Sequence, residues 1–417
     1  MRYREYKKVD IPWLDEVPSH WEINKGKHVF EISTGKLDAN QGELDGKYPF
    51  FTCSQKPRRI NEYAFDCEAL LVSGNGNVGQ TQYYNGKFNA YQRVYVLNNI
   101  KHVETSFLKW YISNVLPIYL QNRYVGSVIN FIVVGDLRSF PVLIPPKEEQ
   151  EQIARFLDCK INEIDRLIGG YRNKIKYINL IKSQLIANEY MKSDEKIRLK
   201  MLLKNDMEYG LNISGDISGD FRYVRITDID KNGNLKETDQ QFVSNFDKKY
   251  ILNKEDILFA RSGATVGKTY YYKESDGNCA YAGYLIRARV NKDLVYPEYI
   301  YYFTQSEIYE EWKNSIFIQS TIQNINAEKY SNLLIPMFDK EVQEKVIKNC
   351  KLIINRIDKI EKNQAQQINN LQLLKQSLIS DVVTGKIDLR NISIPEYDKV
   401  SDTEDDVILE ESFNEEV

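Results

Sequence analysis

Two rhythms of apolar and polar residues take turns along the chain. From Leu157 the apolar residues Ile161, Ile164, Ile168, Tyr171, Ile175, Ile178, Ile181 and Leu185 follow in steps of three and four. That spacing keeps them on one face of a helix and predicts a coiled-coil seam. Val346, Cys350, Ile353, Ile357, Ile360, Leu371, Leu374 and Leu378 carry the same rhythm, with Gln364 and Gln367 set into the stripe. Polar seam residues lower stability but fix register and partner, so the second helix should have one particular mate, and the first helix is available. Gly169-Gly170 inside the first pattern predicts a kink or break, each glycine costing about 1 kcal/mol relative to alanine. Neither helix would stand alone, because its apolar stripe needs burial. Antiparallel pairing would put a globular domain at each end of a rod of roughly 60 Å, at about 1.5 Å per residue.

The other rhythm is strand-like and rich in tyrosine: Thr81-Gln-Tyr-Tyr84, Tyr91-Gln-Arg-Val-Tyr-Val96, Phe221-Arg-Tyr-Val-Arg-Ile226 and Thr269-Tyr-Tyr-Tyr272. It occurs twice, about 190 residues apart. Leu70-Leu-Val-Ser-Gly-Asn-Gly-Asn-Val-Gly-Gln-Thr81 is answered by Ile257-Leu-Phe-Ala-Arg-Ser-Gly-Ala-Thr-Val-Gly-Lys-Thr269, and Val142-Leu-Ile-Pro-Pro146 by Leu333-Leu-Ile-Pro-Met337. Lys182-Ser-Gln-Leu-Ile186 is answered by Lys375-Gln-Ser-Leu-Ile379. The repeats keep their order. The expected fold is therefore α+β: two repeated, mixed, strand-rich domains separated by two long antiparallel coiled-coil helices with pseudo-two-fold symmetry. The expected boundaries are an N-terminal segment (1–19), a first domain (20–145), a first helix region (146–192), a second domain (193–336), a second helix region (337–390) and a disordered acidic tail (391–417).

Composition changes this picture in three places. The 29 tyrosines, set against three histidines and four tryptophans, suggest binding surfaces, although any one of them can equally pack a core. The five cysteines are scattered without a C-x-x-C pair, which argues against a structural zinc site and for a reducing, cytoplasmic setting; no run of eighteen apolar residues is present. Residues 391–417 hold ten acids and one lysine, so removing that −9 from the whole-chain −3 leaves +6 for residues 1–390. A mildly basic body keeps nucleic acid open as a partner.

The glycine loops invite a phosphate-binding reading, but the P-loop pattern G-x-x-x-x-G-K-[ST] fails in both. Gly263 and Gly267 are one residue too close, and Gln80 follows Gly79 where the lysine belongs. Tyrosine strands follow the loops instead of a helix. Tight turns between strands are one reading; backbone amides and flanking side chains approaching DNA are the other. On the second reading the candidate DNA contacts are Ser73, Asn75, Gln80 and Thr81 in the first loop and Arg261, Ser262, Thr265 and Lys268 in the second. Lys56, Arg58 and Arg59 form a basic loop, and Arg93 and Arg225 lie between aromatics. Two further segments at matching positions, Tyr124–Asn130 with Ser127 and Ile318–Asn324 with Ser320 and Gln323, complete the set. Two such domains in opposed orientation suit a split DNA site, with half-sites one turn or more apart at about 34 Å per turn. No acid–base pair, nucleophile or metal constellation emerges, so neither catalytic residues nor metal ligands are assigned.

Four motifs in order give this chain its family likeness: Ile11-Pro-Trp-Leu-Asp-Glu-Val-Pro-Ser-His-Trp-Glu22, Ile144-Pro-Pro-Lys-Glu-Glu-Gln-Glu-Gln-Ile153, Asp256-Ile-Leu-Phe-Ala-Arg-Ser-Gly-Ala-Thr-Val-Gly-Lys268 and Ser377-Leu-Ile-Ser-Asp-Val-Val-Thr-Gly-Lys-Ile-Asp-Leu-Arg390. Across residues 9–390 the chain resembles the specificity (S) subunit of type I restriction-modification systems. The resemblance implies a non-catalytic subunit whose two target-recognition domains each read half of a bipartite duplex site, while the helices set the spacer and dock two modification (M) subunits. In a complex that also cleaves, two restriction (R) subunits join. S-adenosylmethionine, ATP and Mg would then belong to the partners, with no cofactor in this chain. The first loop, Ser73-Gly-Asn-Gly-Asn-Val-Gly-Gln80, is one residue longer than the second and lacks its arginine and lysine, which implies different half-sites and an asymmetric target. A coiled-coil scaffold without DNA binding, or the specificity module of another restriction or methylation system, are the competing readings.

Overall fold

The structure is a computed structural model and describes residues 2–43, 45–123, 131–230, 233–263, 265–318 and 324–396. It divides into two compact units, the first running to Tyr171 and taking up the chain again from Gln366, the second spanning Arg172–Ala365.

In the first unit β1 (Tyr6–Ile11) and β2 (Leu14–Pro18) form a hairpin, and β3 (Glu22–Lys25) waits for a late strand to pair with it. The strands β4 (Glu31–Thr34), β5 (Tyr48–Phe51), β6 (Arg58–Ile60), β7 (Phe65–Ser73), β8 (Thr81–Ala90) and β9 (Val94–Asn98) make one sheet in the order β4-β9-β7-β8-β5-β6. The central strand β7 is buried on both faces from Ala69 to Ser73. Ala69 and Leu71 join Phe51, Phe88, Val94 and Val96 in one cluster, and alternation turns Leu70 and Val72 the other way. Helix α1 (Thr105–Arg123) packs on β7 and β8. Its buried residues, Phe107, Leu108, Tyr111, Ile112, Val115, Leu116, Tyr119 and Leu120, fall on one broad stripe. After α2 (Val134–Ser139), β10 (Pro141–Ile144) pairs antiparallel with β3 and leads into the long helix α3 (Lys147–Tyr190).

The second unit repeats this plan with more interruptions. It contains β11 (Lys196–Arg198), β12 (Glu208–Tyr209), β13 (Phe221–Val224), β14 (Phe242–Val243), β15 (Ile257–Ala260), β16 (Thr269–Tyr271), β17 (Cys279–Tyr281) and β18 (Leu285–Ala288). Helices α4 (Pro297–Phe303), α5 (Glu307–Ile318) and α6 (Ala327–Ser331) follow, then β19 (Leu334–Pro336) and the long helix α7 (Lys340–Val383). The strands form sheets β12-β18-β15-β16 and β14-β13-β17, while β19 pairs with β11 as β10 pairs with β3. Strand β15 alternates between two cores. Ile257 and Phe259 meet Tyr299, Ile300, Phe303 and Tyr330, and Leu258 and Ala260 meet Tyr270, Tyr281 and Leu285.

The long helices run antiparallel, as contacts inside each unit demonstrate. Asp165 pairs with Lys375 at 2.6 Å in the first. In the second, Asn179 donates to Glu361 at 2.6 Å, Lys182 lies 3.8 Å from Asp358, and Asn349 donates to Glu189 at 2.9 Å. Partners on α7 descend as those on α3 ascend. Leu157, Ile161, Ile164, Ile168, Ile175 and Ile357 are buried and Ile178, Ile353, Leu371 and Leu378 partly so, as the stripe predicts. Leu185, Ile360 and Leu374 are corrections: they are 40%, 41% and 52% exposed, and Ile181 is exposed as well. The true seam passes one residue later, through Lys182, Ile186, Glu361, Ile368 and Lys375. Adjacent apolar pairs such as Leu180-Ile181 and Leu373-Leu374 let the stripe be read early, and apolar spacing cannot reveal that polar pairs occupy the inner positions. The expected break at Gly169-Gly170 is absent, since α3 is continuous there. Ile164 and Ile168 before it and Ile175 after it are buried, which offsets the glycine penalty.

Three of the sequence motifs converge in the first unit. Glu149, buried in the first turn of α3, accepts hydrogen bonds from the Tyr3 hydroxyl and the Trp21 indole N–H, both at 3.0 Å, with His20 Nε2 at 2.7 Å. A carboxylate at a helix N-terminus also meets the favourable end of the helix dipole. Tyr6 donates to the carbonyl of Gly385 at 3.0 Å, and the Arg390 guanidinium lies over the Tyr3 ring at 4.9 Å. The start and end of the described chain are thereby tied to the beginning of α3.

Candidate nucleic-acid interface

Each glycine loop leaves an inner strand of its sheet, and each unit builds the same hydrogen-bond ladder around it. In the first unit Ser73 N donates to Gln80 O and Gly79 N to Ser73 O, both at 2.9 Å. In the second, Ala260 N donates to Lys268 O at 2.8 Å and Gly267 N to Ala260 O at 2.9 Å. The next residue outward is also matched. Gly74 N donates to Arg93 O and Gly74 O accepts from Ile132 N, while Arg261 N donates to Tyr284 O and Arg261 O accepts from Ile325 N. Asn75 bridges Phe131 and Ser262 bridges Asn324. This ladder reverses the expectation on loop length. Ser73 to Gln80 is one residue shorter than Ala260 to Lys268, because glycine spacing is a poor guide to where the loop closes.

The closing glycines adopt left-handed backbone, φ +85° at Gly79 and +86° at Gly267, which a side chain would strain. Helices support the loops from behind. A Cβ on Gly79 would touch Pro117 of α1, and one on Gly267 would strike Lys313 of α5. In the second unit two buried phenols hold the loop base: Tyr309 donates to Gly267 O at 2.8 Å and Tyr330 to Ala260 O at 2.7 Å. Burial pushes both hydroxyls well above the ordinary tyrosine range, so they act as fixed donors. Such roles revise the reading of the tyrosines. Tyr111, Tyr190, Tyr270, Tyr281, Tyr299, Tyr309 and Tyr330 are fully buried, so much of the tyrosine excess builds core.

The candidate side chains fall into distinct groups. Ser73 and Thr81 are buried at the strand ends, where the Thr81 hydroxyl donates to Gly79 O at 2.9 Å and closes the turn. Asn75 Oδ1, Gln80 Oε1, Arg261 Nε, Thr265 Oγ1 and Asn324 Oδ1 are buried without a partner among the described residues. Each orphaned polar atom costs about 1–3 kcal/mol, and among the described residues half of them lie on these two loops and the segment bridged to the second. Lys268 is half-buried at the loop's closing position, and Ser262 is half-buried on the bridge. Arg93 is exposed at the turn between β8 and β9.

Three basic candidates have structural employment. Arg58 donates to Ala39 O at 3.0 Å and Arg59 to Gly46 O at 2.9 Å, fastening the segment before β5, while Lys56 is exposed beside them. Arg225 is drawn onto Asp228, donating from Nε at 3.1 Å and from its terminal nitrogen at 2.6 Å. Ser127, Ser320 and Gln323 lie outside the described residues, as does the acidic tail beyond Glu396. Sequence reading missed Tyr209, whose ring lies 5.2 Å beneath the Arg261 guanidinium, and the exposed residues Tyr284 and Phe131 on the same ladders. Only strand pairing brings them to the loops.

The family follows from comparison with known proteins. Residues 18–177 and 215–370 each match the model of the type I restriction modification DNA specificity domain, and the chain belongs to that family. Its relatives include the type I restriction enzyme EcoDI specificity subunit of Escherichia coli, 24% identical over 89% of this chain and 90% of that one. Another is the MjaVIII specificity subunit of Methanocaldococcus jannaschii, 21% identical over 94% and 98%. Among solved structures, a chain from work on complex assembly and conformational transition of the type I R-M system shares the fold, with TM-score 0.64 at 13% identity over 89% of this chain and 99% of that one. Among the described residues no helix is long and apolar enough to cross a membrane.

Proposed function

We propose that this chain is the DNA-reading subunit of a type I restriction-modification complex, each unit recognising one half of an asymmetric, split duplex site. The observation that carries this reading is the convergence of orphaned buried polar atoms on the same loop in both units. A fold retains unpaired donors and acceptors on the corresponding loop of both units when a ligand completes them, and base edges in the major groove present the complementary groups.

The long helices dock two M subunits and set the spacer. Leu167, Tyr177, Leu180, Ile181, Leu352, Leu373 and Leu374 are exposed on them and offer apolar side chains for a partner to cover. Methyl transfer from S-adenosylmethionine, and ATP- and Mg-dependent cleavage where it occurs, reside in partners, and this chain contributes recognition. The complex works in the cytoplasm.

Methylome sequencing of cells carrying the chain with its M subunit tests the proposal. A split adenine-methylated motif should appear and should vanish when the chain is deleted. Replacing residues 20–145 with another recognition domain should alter one half of the motif. Methylation that survives deletion, or change in both halves, contradicts the reading.

A further inference from the structure

The matched ladders differ in where they carry arginine. At the first loop position the first unit has Gly74 and the second has Arg261; on the facing turn the first has Arg93 and the second has Tyr284. The exchange is enforced by space. A Cβ on Gly74 would stand 2.6 Å from the carbonyl oxygen of Arg93 and 2.9 Å from the Tyr95 ring, which is itself held by a 2.8 Å hydrogen bond to Ile132 O. An arginine at that position in the first unit would force the Arg93 carbonyl or the Tyr95 ring to move.

In the second unit Arg261 is prepared for a ligand. Its guanidinium stacks on Tyr209, and that ring is fixed at both ends: its backbone pairs with Ile286, and its hydroxyl accepts from Ala327 N at 3.1 Å. The neighbouring arginines are engaged elsewhere, Arg225 with Asp228, Arg287 with Glu208 and Arg289 with Asp256. Arg261 Nε is buried without a partner among the described residues, and no carboxylate there neutralises the group. A stacked, uncompensated, half-buried guanidinium offers two parallel N–H donors in a rigid fork, which suits the O6 and N7 acceptors of guanine better than a lone phosphate oxygen. Arg93, exposed across the ladder, has the corresponding charge in the first unit.

We infer that Arg261 and Arg93 are the specificity-determining arginines of their units, each reading a guanine-bearing base pair, from opposite sides of the corresponding ladder in each unit. The inference rests on the DNA-reading function proposed above and adds to it that the guanine contact falls at non-equivalent positions in the two half-sites.

The test measures binding of the complex with its M subunit to duplexes randomised across both half-sites, at several salt concentrations. Arg261→Lys keeps the charge and loses the fork. It should reduce preference at a single base pair of one half-site by about ten- to a hundredfold and leave the salt dependence unchanged. Arg93→Lys should do the same at one base pair of the other half-site. If Arg261→Lys retains every base preference, or if Arg261→Gln weakens all sequences equally and lowers the salt slope by about one, the arginine is a phosphate contact and the inference falls while the proposed function stands. A parent complex without any split-site preference would overturn both.

Discussion

The two units solve the same folding problem with different chemistry. Where the first sheet places Ala69 and Val96 in an apolar cluster, the second places Asp256 and Arg287 at matching ladder positions. Asp256 binds Arg289 through two hydrogen bonds of 2.9 and 2.8 Å, and Arg287 pairs with Glu208 and donates to Lys249 O at 2.7 Å. The ten-residue strand β8 of the first unit corresponds to two short strands in the second, β16 and β17, separated by a turn in which Asp276 accepts from Tyr270 at 2.6 Å. One six-stranded sheet thus becomes two smaller sheets. Backbone pairing around the glycine loop survives these changes, which identifies it as the common scaffold. The side chains mounted on it are free to differ, as the exchange of Arg93 for Arg261 illustrates.

The largest way to break the comparison is at the ion pairs. Asp256→Ala leaves the partly buried Arg289 without its carboxylate and should destabilise the second unit by about 3 kcal/mol in urea denaturation. Ala69→Asp, which buries an unpaired carboxylate at the matching position, should also destabilise the first; tolerance of both would mean that the ladder alignment is wrong. A smaller cost is expected from placing the second unit's residue in the first. Gly74→Arg should lower stability by about 1–3 kcal/mol through overpacking against Arg93 O, whereas Arg261→Gly should stay within about 1 kcal/mol of the parent. Equal effects of the two would remove the steric argument for the exchange.

The helix seam offers a change of opposite sign. The first unit's share of α3 buries Leu157, Ile161, Ile164 and Ile168, while the second unit's share of the seam contains Asn179, Lys182, Glu361 and Gln364. Gln364 Oε1 is buried without a partner among the described residues, so Gln364→Leu should raise stability by about 1 kcal/mol, read as a higher midpoint of thermal unfolding. A loss of stability would point to a hydrogen-bond partner for this amide. The mildest probe is thiol labelling. Burial pushes Cys279 and Cys350 of the second unit up to about 12, leaving them protonated and shielded. Maleimide near neutral pH, roughly pH 7–8, should modify half-buried Cys53 and Cys67 of the first unit and spare both; rapid modification of Cys350 would show that its helix contacts open readily.

Much of this organisation was readable because it is periodic. Steps of three and four located both long helices, and the order of repeated motifs implied two related domains. Arg261, Asn75 and Gln80 could be singled out because an apolar strand running into glycines is a local signal. Tyr209 and Tyr284 could not, since each reaches Arg261 through strand pairing from a distant part of the chain. Glu149 reads as one more acid at a helix start, and only the folded chain brings Tyr3, His20 and Trp21 to it.

What the sequence by itself determined was the repeat, the paired helices and the position of the loops, because apolar period and glycine placement act over a few residues at a time. Tertiary structure decided the seam register, where Glu361 and Lys182 displace Ile360 and Ile181, and the loop lengths, which depend on the residues that close the ladder. It also decided which unit could hold an arginine at the loop's first position. The Tyr95 ring and the Arg93 carbonyl fill that space in one unit, and steric exclusion between residues far apart in the chain leaves no local trace.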